Sequence, residues 1–568
     1  MIAFKYVKAI LVIAGFVVMF ILSCSWLIQT SFHVPYWTPE PERQSIVDKM
    51  NDIQSCKCKI TKEGKRLQTV QQLDLIMSWL NLTTSEHLAR RHPNLPVDFL
   101  RSVTNGKACH LLPSLFRIEW VNVLWQLTRL SNTDILLYSA FYDPNPGGKP
   151  CVRLLGVTRS TKPPAGWCHL WFNTQQPPVV TRITNTDYLD YQKKSSDHQM
   201  PFLFTCPLPS QVAHLQPAAV SLVHQPCEPA TTLLKVGGAK ERHTSAYLSG
   251  HTPVNPDKTV NGWVPAVCGP ALYYYHEDFS KRMVEWLEIL RAEGIGKVFL
   301  YVTDVHPNLE KVLKYYEDDG FVHLINYYYP PPYINEPSLR RSRSCMRSRV
   351  PRRKVKCPRI SAHRRLWTLV KRKEMFAQEN VYFTDCLLRH MHEYRFIAHY
   401  DPDEIPFLLQ HNNYSHFLDY LITSSEDESR KKIKENKKKP TGYRLQWKFF
   451  YNDLKPSQSE VTDVPEDFWY LRHTLTKVKD RNINTGFYKT LYDMDTVRGV
   501  FSHGPLVCTT GLCSVKSLRS VATNVAFLGH FNKVCGQQCQ EANSTKHEPF
   551  LQKYRKQVIE AVNKVLRS

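Results

Sequence analysis

The feature that most restricts the fold lies between residues 279 and 327. Phe279, Met283, Trp286, Leu287 and Leu290 recur at i, i+4, i+7, i+8 and i+11, one face of a helix. Gly294 follows and predicts where that helix stops. Lys297-Val298-Phe299-Leu300-Tyr301-Val302 is a short apolar run of the kind that forms a buried strand. Pro307 and Asn308 open a second helix with Leu309, Val312, Leu313 and Tyr316 on one face, and Gly320 ends it. Val322-His323-Leu324-Ile325-Asn326-Tyr327 returns as a strand. A strand, a helix and a strand at this spacing require a right-handed crossover in a parallel sheet. The fold class is therefore α/β, with nucleotide ligands expected at the carboxyl ends of the strands.

The flanking segments differ in character. Ile135-Leu136-Leu137-Tyr138 and Cys151-Val152-Arg153-Leu154-Leu155 read as strands parted by a turn at Asn145-Pro146-Gly147-Gly148, and the region to about 235 reads as β-rich. Leu67, Val70, Leu73, Ile76 and Leu80 have helical spacing. On the carboxyl side, Arg340 to Lys373 holds 15 Lys or Arg and no acid. A helical pattern follows to about Tyr394, then a strand, Arg395-Phe396-Ile397-Ala398-His399-Tyr400, that runs into Asp401-Pro402-Asp403-Glu404. Residues 425–440 read as a charged, solvated loop.

The amino terminus sets the compartment. Ala9 to Ile28 carries no charge and is nearly all apolar, and about 20 such residues span a bilayer. Lys5 and Lys8 precede the run, so the positive-inside rule keeps the short tail cytoplasmic. A cleaved signal peptide with Ser23-Cys24-Ser25 at its cleavage site is the rival, but the run is long for one. Three sequons, at Asn81, Asn413 and Asn543, suit a chain exposed on the far side. Of 16 Cys, Cys24 lies in the apolar run, and the odd remainder implies disulfides plus at least one unpaired thiol. Cys56-x-Cys58 and Cys535-x3-Cys539 lack the spacing of a structural zinc site. The formal net charge is +23, and the basic stretch supplies 15 of those charges. Basicity this local, on the far side of a membrane, argues against nucleic acid as a partner.

Asp401-x-Asp403 carries the strongest chemical signal. Three acids within four positions repel unless a cation sits among them, and alternate residues of an extended chain face opposite ways. Both Asp therefore reach one ion only if the chain turns after the strand, which Pro402 favours. Carboxylates suit Mg²⁺ or Mn²⁺, ions that also bridge diphosphate oxygens. The plain alternative is an acidic loop after a strand.

In these segments the chain resembles glycosyltransferase family 92. The matching runs are Ser139-Ala140-Phe141-Tyr142-Asp143, Glu285-Trp286-Leu287-Glu288 through Gly296-Lys297-Val298-Phe299-Leu300-Tyr301, Thr384-Asp385-Cys386-Leu387, Asp401-Pro402-Asp403-Glu404 and Gly499-Val500-Phe501-Ser502-His503. They extend over about residues 134–530. The resemblance implies a GT-A-like nucleotide-sugar transferase fold and a type II, single-pass Golgi membrane protein with a lumenal catalytic domain. It implies Mn²⁺ or another divalent cation, a UDP-sugar donor, usually UDP-galactose, and inverting transfer to a glycan acceptor on a glycoprotein or glycolipid. Asp401 and Asp403 match the metal-binding D-x-D, Glu404 the acid after it, and His503 a further metal ligand. Pro402 stands where the family has an apolar residue, and Thr490-Leu491-Tyr492-Asp493 matches only loosely.

Transfer needs a carboxylate to take the acceptor proton. Glu466 and Asp467, in Pro465-Glu466-Asp467-Phe468-Trp469, are candidates for it, read against an acid pair at a helix start. Asp304, Asp385, Glu404 and Lys489 are candidates for donor binding. For Asp385 the alternative is a pair with Arg389 at i+4, and for Asp304 a turn. The expected organisation is a tail (1–8), a transmembrane anchor (9–28), a stem and N-terminal region (29–133), a β-rich part (134–265), a catalytic domain (266–530) and a C-terminal helical extension (531–568). A non-catalytic, membrane-anchored carbohydrate-binding or adhesion protein with the same fold is the alternative function.

Overall fold

The computed structural model describes Cys56 and residues 85–102, 108–145, 148–238, 263–273, 277–331, 372–431, 439–454, 463–477, 487–535 and 545–567. The apolar run at 9–28, the helical spacing at 67–80, Asn81, Asn543 and nearly all of the basic stretch lie outside these residues. Among the described residues no helix is long and apolar enough to cross a membrane.

Nine strands form the amino-terminal sheet: β1 (Gln126–Leu130), β2 (Thr133–Asp143), β3 (Cys151–Thr158), β4 (Trp167–Trp171), β5 (Val179–Arg182), β6 (Asn185–Tyr188), β7 (Met200–Pro207), β8 (Ala219–Val223) and β9 (Leu234–Gly237). Their order is β5-β4-β8-β9-β2-β3-β7-β6, with β1 beside β2. β4 and β7 are five steps apart, about 24 Å in a flat sheet at ~4.8 Å per strand. The Cys168–Cys206 disulfide nevertheless joins them at a Cα–Cα distance of 6.1 Å. The sheet is therefore rolled face to face, and Leu154, Leu170, Phe202 and Phe204 fill the space between. Two short helices, α1 (Ser85–Arg91) and α2 (Val97–Leu100), and the segment after them pack Leu88, Leu95 and Leu111 against Trp171 and Leu233. Residues 85–102 and 108–125, within the expected stem and N-terminal region, are thus part of this globule through their apolar side chains. Cys56 is tied to it through Cys227.

The second sheet begins at β10 (Ala266–Leu272) and continues with α3 (Ser280–Ala292), β11 (Lys297–Val302), α4 (Pro307–Asp318) and β12 (Val322–Asn326). Both predicted strand–helix alternations are present, and β10, β11 and β12 are parallel. Gly294 and Gly320 have φ of +89° and +84°, so each helix ends on a left-handed residue where glycine carries no Cβ penalty. Next come α5 (Arg372–His390), β13 (Phe396–His399), β14 (Glu404–Leu408), α6 (Tyr414–Lys431) and β15 (Gly442–Tyr451). Helix α6 replaces the first part of the loop expected over 425–440. Asn413 accepts the His416 N–H at 3.1 Å as its cap, and Tyr414, Phe417, Leu418 and Leu421 bury one side.

The remaining strands are β16 (Leu475–Lys477), β17 (Tyr488–Asp493), β18 (Val497–Phe501), β19 (Gly504–Cys508), β20 (Gly511–Leu512), β21 (Leu518–Ser520), β22 (Ala526–Lys533) and β23 (Thr545–His547). The central order is β12-β11-β10-β13-β17-β15-β22-β14. Strand β22 runs through the boundary expected at 530. The last helix, α7 (Arg555–Val565), buries Val558, Val562 and Val565 in the same core as Met283 and Trp286. The C-terminus is therefore built into this domain, since its apolar stripe is covered only there.

The two sheets share one core in which Trp125, Tyr138 and Phe141 meet Phe299, Tyr301 and Tyr327. Asp143 fastens them. Its fully buried carboxylate accepts Arg153 Nε at 2.6 Å from β3 and Arg498 Nε at 2.8 Å from β18. Burial would raise its pKa, but Arg498 and then Arg153 outweigh that and hold it below the usual carboxylate range. Asp143→Ala should cost about 3–5 kcal/mol in denaturant unfolding, because two guanidinium groups lose their buried partner. A folded-state pKa that is depressed gives stability at neutral pH that is lost as acid protonates the carboxyl, and the variant should lose that part of the acid sensitivity.

Disulfides Cys268–Cys386 and Cys508–Cys513 are also formed, Cys109 and Cys535 are disulfide-bonded, and Cys151 is a buried free thiol. The disulfide reading of Cys56 therefore holds.

Candidate active site

Strand β10 has β11 on one side and β13 on the other, all three parallel. The chain steps from β10 through β11 to β12 on one side and then places β13 on the other side of β10, so a topological switch point lies between β10 and β13, where α/β sheets open a crevice at their carboxyl ends. A cleft of about 310 Å³ lies there. It is lined by Pro270 of β10, Glu277, Phe279 and Arg282 around the start of α3, Asp401, Pro402 and Asp403 after β13, and Trp469.

The acidic segment turns, as two carboxylates on one ion would require. Glu404 N–H donates to Asp401 O at 2.8 Å, and Asp401 N–H donates back to Glu404 Oε2 at 2.9 Å. The turn is held from outside as well. Phe531 N–H donates to Asp403 O at 2.9 Å, Trp286 Nε1 to Glu404 O at 2.8 Å, and the Tyr470 hydroxyl to Pro402 O. Tyr470 is itself placed by Glu285, whose buried carboxylate accepts the Trp469 and Tyr470 N–H groups at 2.9 and 3.0 Å. Burial pushes the Glu285 carboxyl up to about 7 despite these bonds.

Lys489 of β17 lies behind the turn, 2% exposed. Its ammonium is 2.7 Å from Asp401 Oδ2 and 3.5 Å from Glu404 Oε2. Burial would lower its pKa, but Asp401, Glu404 and Glu379 together raise it. Asp401 is correspondingly held low, since Lys489 outweighs burial. Fully buried Glu404 goes the other way, because desolvation exceeds the help from Lys489 and Asp401 adds repulsion. The closer charge pair is thus Lys489 with Asp401, and the Glu404 carboxyl, its pKa raised by burial, holds the turn through its bond from Asp401 N–H. Neither Lys489 nor Glu404 lines the cleft; the contacts they make are internal, to the acidic turn.

His503 Nδ1 lies 2.9 Å from Tyr488 O, which fixes the proton on Nδ1 and leaves the Nε2 lone pair. Trp447 stands between His503 and His530, at ring distances of 5.6 and 4.5 Å, and stacks on Phe487. Asp385 is fully buried in α5. It accepts the Tyr301 hydroxyl at 2.5 Å and both Arg389 Nε and Nη2, so the i+4 pair is what its carboxylate makes and a donor contact is closed off. Asp304 is half-buried after β11, its N–H facing Leu272 O at 3.5 Å. Glu466 and Asp467 sit in an exposed turn before Trp469, and Asp467 pairs with Lys281.

Arg282, Glu277 and Glu379 were not anticipated. Arg282 lies 4.2 Å over the Trp469 ring and 3.6 Å from Glu277. Glu379 is pushed up to about 7 by burial and then by Asp401. Helical periodicity names apolar faces and gives no signal for a charged residue turned toward a distant strand end.

The donor set suits a divalent ion in part. Asp401 and Asp403 line one cleft, and Mg²⁺ or Mn²⁺ commonly takes one or two carboxylates plus phosphate oxygens. Among the described residues no three His, Cys, Asp or Glu side chains form a ready-made cluster. The remaining ligands would come from His503, whose charge reaches Asp401, or from the diphosphate and water.

A family model described as glycosyltransferase family 92 matches residues 265–568. A curated relative, beta-1,4-galactosyltransferase galt-1 of Caenorhabditis elegans, is 36% identical over 67 residues, 11% of this chain and 16% of that protein. The match thus spans about a sixth of the relative's length.

Proposed function

Since this chain belongs to glycosyltransferase family 92, we propose that it is a metal-dependent, inverting glycosyltransferase of GT-A type that moves galactose from UDP-galactose to a glycan acceptor. The observation that carries this is the Asp401-Pro402-Asp403 turn, which lines a cleft at the switch point between β10 and β13. The family match and the short galactosyltransferase relative support the reaction class and the sugar. The apolar run at 9–28, with Lys5 and Lys8 before it, supports a type II Golgi anchor with the catalytic domain lumenal.

In this reading the diphosphate enters the cleft over Asp401 and Asp403, which would hold Mn²⁺. When bound, the ion neutralises the diphosphate and makes UDP a better leaving group. Arg282, held on the Trp469 face, adds positive charge from the opposite wall. Lys489 keeps Asp401 ionised and in place from behind. Trp447 and Phe487 offer a stacking face beside His503, which suits a sugar ring. The acceptor hydroxyl must lose a proton as it attacks C1 from the face opposite UDP. Glu277 is the cleft carboxylate outside the Asp turn, so it is preferred here over Glu466 and Asp467.

The full-length chain in detergent, given Mn²⁺, a panel of UDP-sugars and a glycan panel, should release UDP with UDP-galactose. No release and no binding with any donor would refute the reading. Glu277→Gln should lower kcat by about 10²–10⁴ with little change in donor affinity. Loss of that size in Glu466→Gln, with Glu277→Gln active, would move the proton acceptor to the exposed turn.

A further inference from the structure

Of the three sequons, Asn413-Tyr414-Ser415 lies within the described residues, and the structure gives the two amide atoms of Asn413 different tasks. Oδ1 accepts the His416 N–H at 3.1 Å and so caps α6. Nδ2 has no hydrogen-bond partner among the described residues and is not buried. Asn412 and His416 on either side are exposed. An amide nitrogen that the cap leaves unused, and that solvent reaches, is the atom that N-glycosylation modifies.

The surface beside this amide is apolar. Leu409 and Tyr420 are 40% and 43% exposed. Tyr420 follows Asn413 by seven residues, on the helix face that also holds Phe417, about 10 Å along the axis. The His411 ring joins this face, 5.0 Å from the Tyr420 ring and 5.5 Å from that of Phe417. Exposed aromatic surface is hydrated at a cost, and the C–H face of a sugar covers it. The cleft is remote from this patch. Tyr414 N–H donates to Glu293 O at 2.8 Å, which seats the sequon at the end of α3. The cleft is lined by Glu277, Phe279 and Arg282 around the start of that helix, about 20 Å away at 1.5 Å per residue. A glycan on Asn413 therefore leaves the cleft open.

We propose that Asn413 is N-glycosylated and that the first sugars of its glycan cover Tyr420 and His411. The co-reactant is an oligosaccharide carried on a lipid diphosphate. Nδ2 bonds to C1 of the first sugar, and the C1–O bond to the diphosphate breaks. The lipid diphosphate leaves with the electron pair, and Nδ2 gives up one of its two protons. Oδ1 remains an acceptor, so α6 keeps its cap. The inference rests on the lumenal placement of this domain, for which Asn81 and Asn543 are the controls.

The full-length chain, made in cultured animal cells, would be mapped by peptide mass spectrometry before and after peptide N-glycosidase. Tyr420 would be followed by hydroxyl-radical footprinting in membranes of the same cells. The peptide that contains Asn413 should carry a glycan, lost in Ser415→Ala, which removes the sequon and leaves the Asn413 cap in place. Tyr420 labelling should rise in Ser415→Ala and on enzymatic removal of the glycan. Bare Asn413 with a glycan on Asn81 or Asn543 would overturn the site and leave the lumenal placement standing. Three bare sequons would overturn both. A glycan on Asn413 with Tyr420 labelled equally in its presence and absence would overturn the cover.

Discussion

Lys489→Met is expected to destabilise the protein by about 1–3 kcal/mol in denaturant unfolding and to abolish UDP release; Asp401 is 35% exposed to the cleft, so water screens part of the unpaired charge. The ammonium is 2% exposed and lies 2.7 Å from Asp401 and 3.5 Å from Glu404. Glu379 adds to the same negative field. Removing the cation leaves Asp401 charged in a place where desolvation already opposes ionisation. The turn then has to protonate Asp401 or open. The double variant Lys489→Met with Asp401→Asn should recover most of the stability and none of the activity, since it replaces a broken charge pair by neutral groups. Equal destabilisation in the single and double variants would mean that the Lys489 stem, and not its charge, supports the turn.

Asp403→Asn is expected to lower the rate of transfer by about 10³-fold, about 4 kcal/mol of barrier, with a thermal midpoint close to that of the unmodified chain. Asn keeps the shape of the side chain, and the backbone bond from Phe531 N–H to Asp403 O is untouched. What it removes is one of the two Asp charges lining the cleft. The loss should fall mainly on kcat and on the Mn²⁺ dependence. Wild-type turnover in Asp403→Asn, measured as UDP release over a Mn²⁺ titration, would remove Asp403 from the site.

These two residues show how far the sequence reached. Asp401 and Asp403 were legible because three acids in four positions after an apolar strand are costly without a cation, a property of neighbours along the chain. Lys489 was legible only as a candidate, because the 88 residues separating it from Asp401 carry no record of their contact. Arg282 and Glu277 were missed for the same reason. They flank the predicted face of α3, and nothing local says that its first turn faces a strand end more than a hundred residues on. Asp385 shows the reverse case. Its i+4 spacing to Arg389 was visible, but only burial beside Tyr301 decided that this pair takes both carboxylate oxygens.

By itself the sequence determined the α/β class, the parallel β11–β12 unit with the helices before and between its strands, and the Gly294 and Gly320 stops. These follow from periodicity and backbone sterics, which act over a few residues. It also implied that the acids after β13 would have to turn if they were to share one ion. The tertiary structure alone decided that the amino-terminal sheet rolls, that residues 85–102 and 108–125 and the last helix are built into the globule, and that Asp143 joins the two sheets. It also decided that Glu404 is a buried strut behind Asp401, with its carboxyl pKa raised by desolvation. Those outcomes depend on burial and on partners far apart in the chain. Desolvation sets which carboxyl keeps its proton, and desolvation exists only once the chain has closed around it.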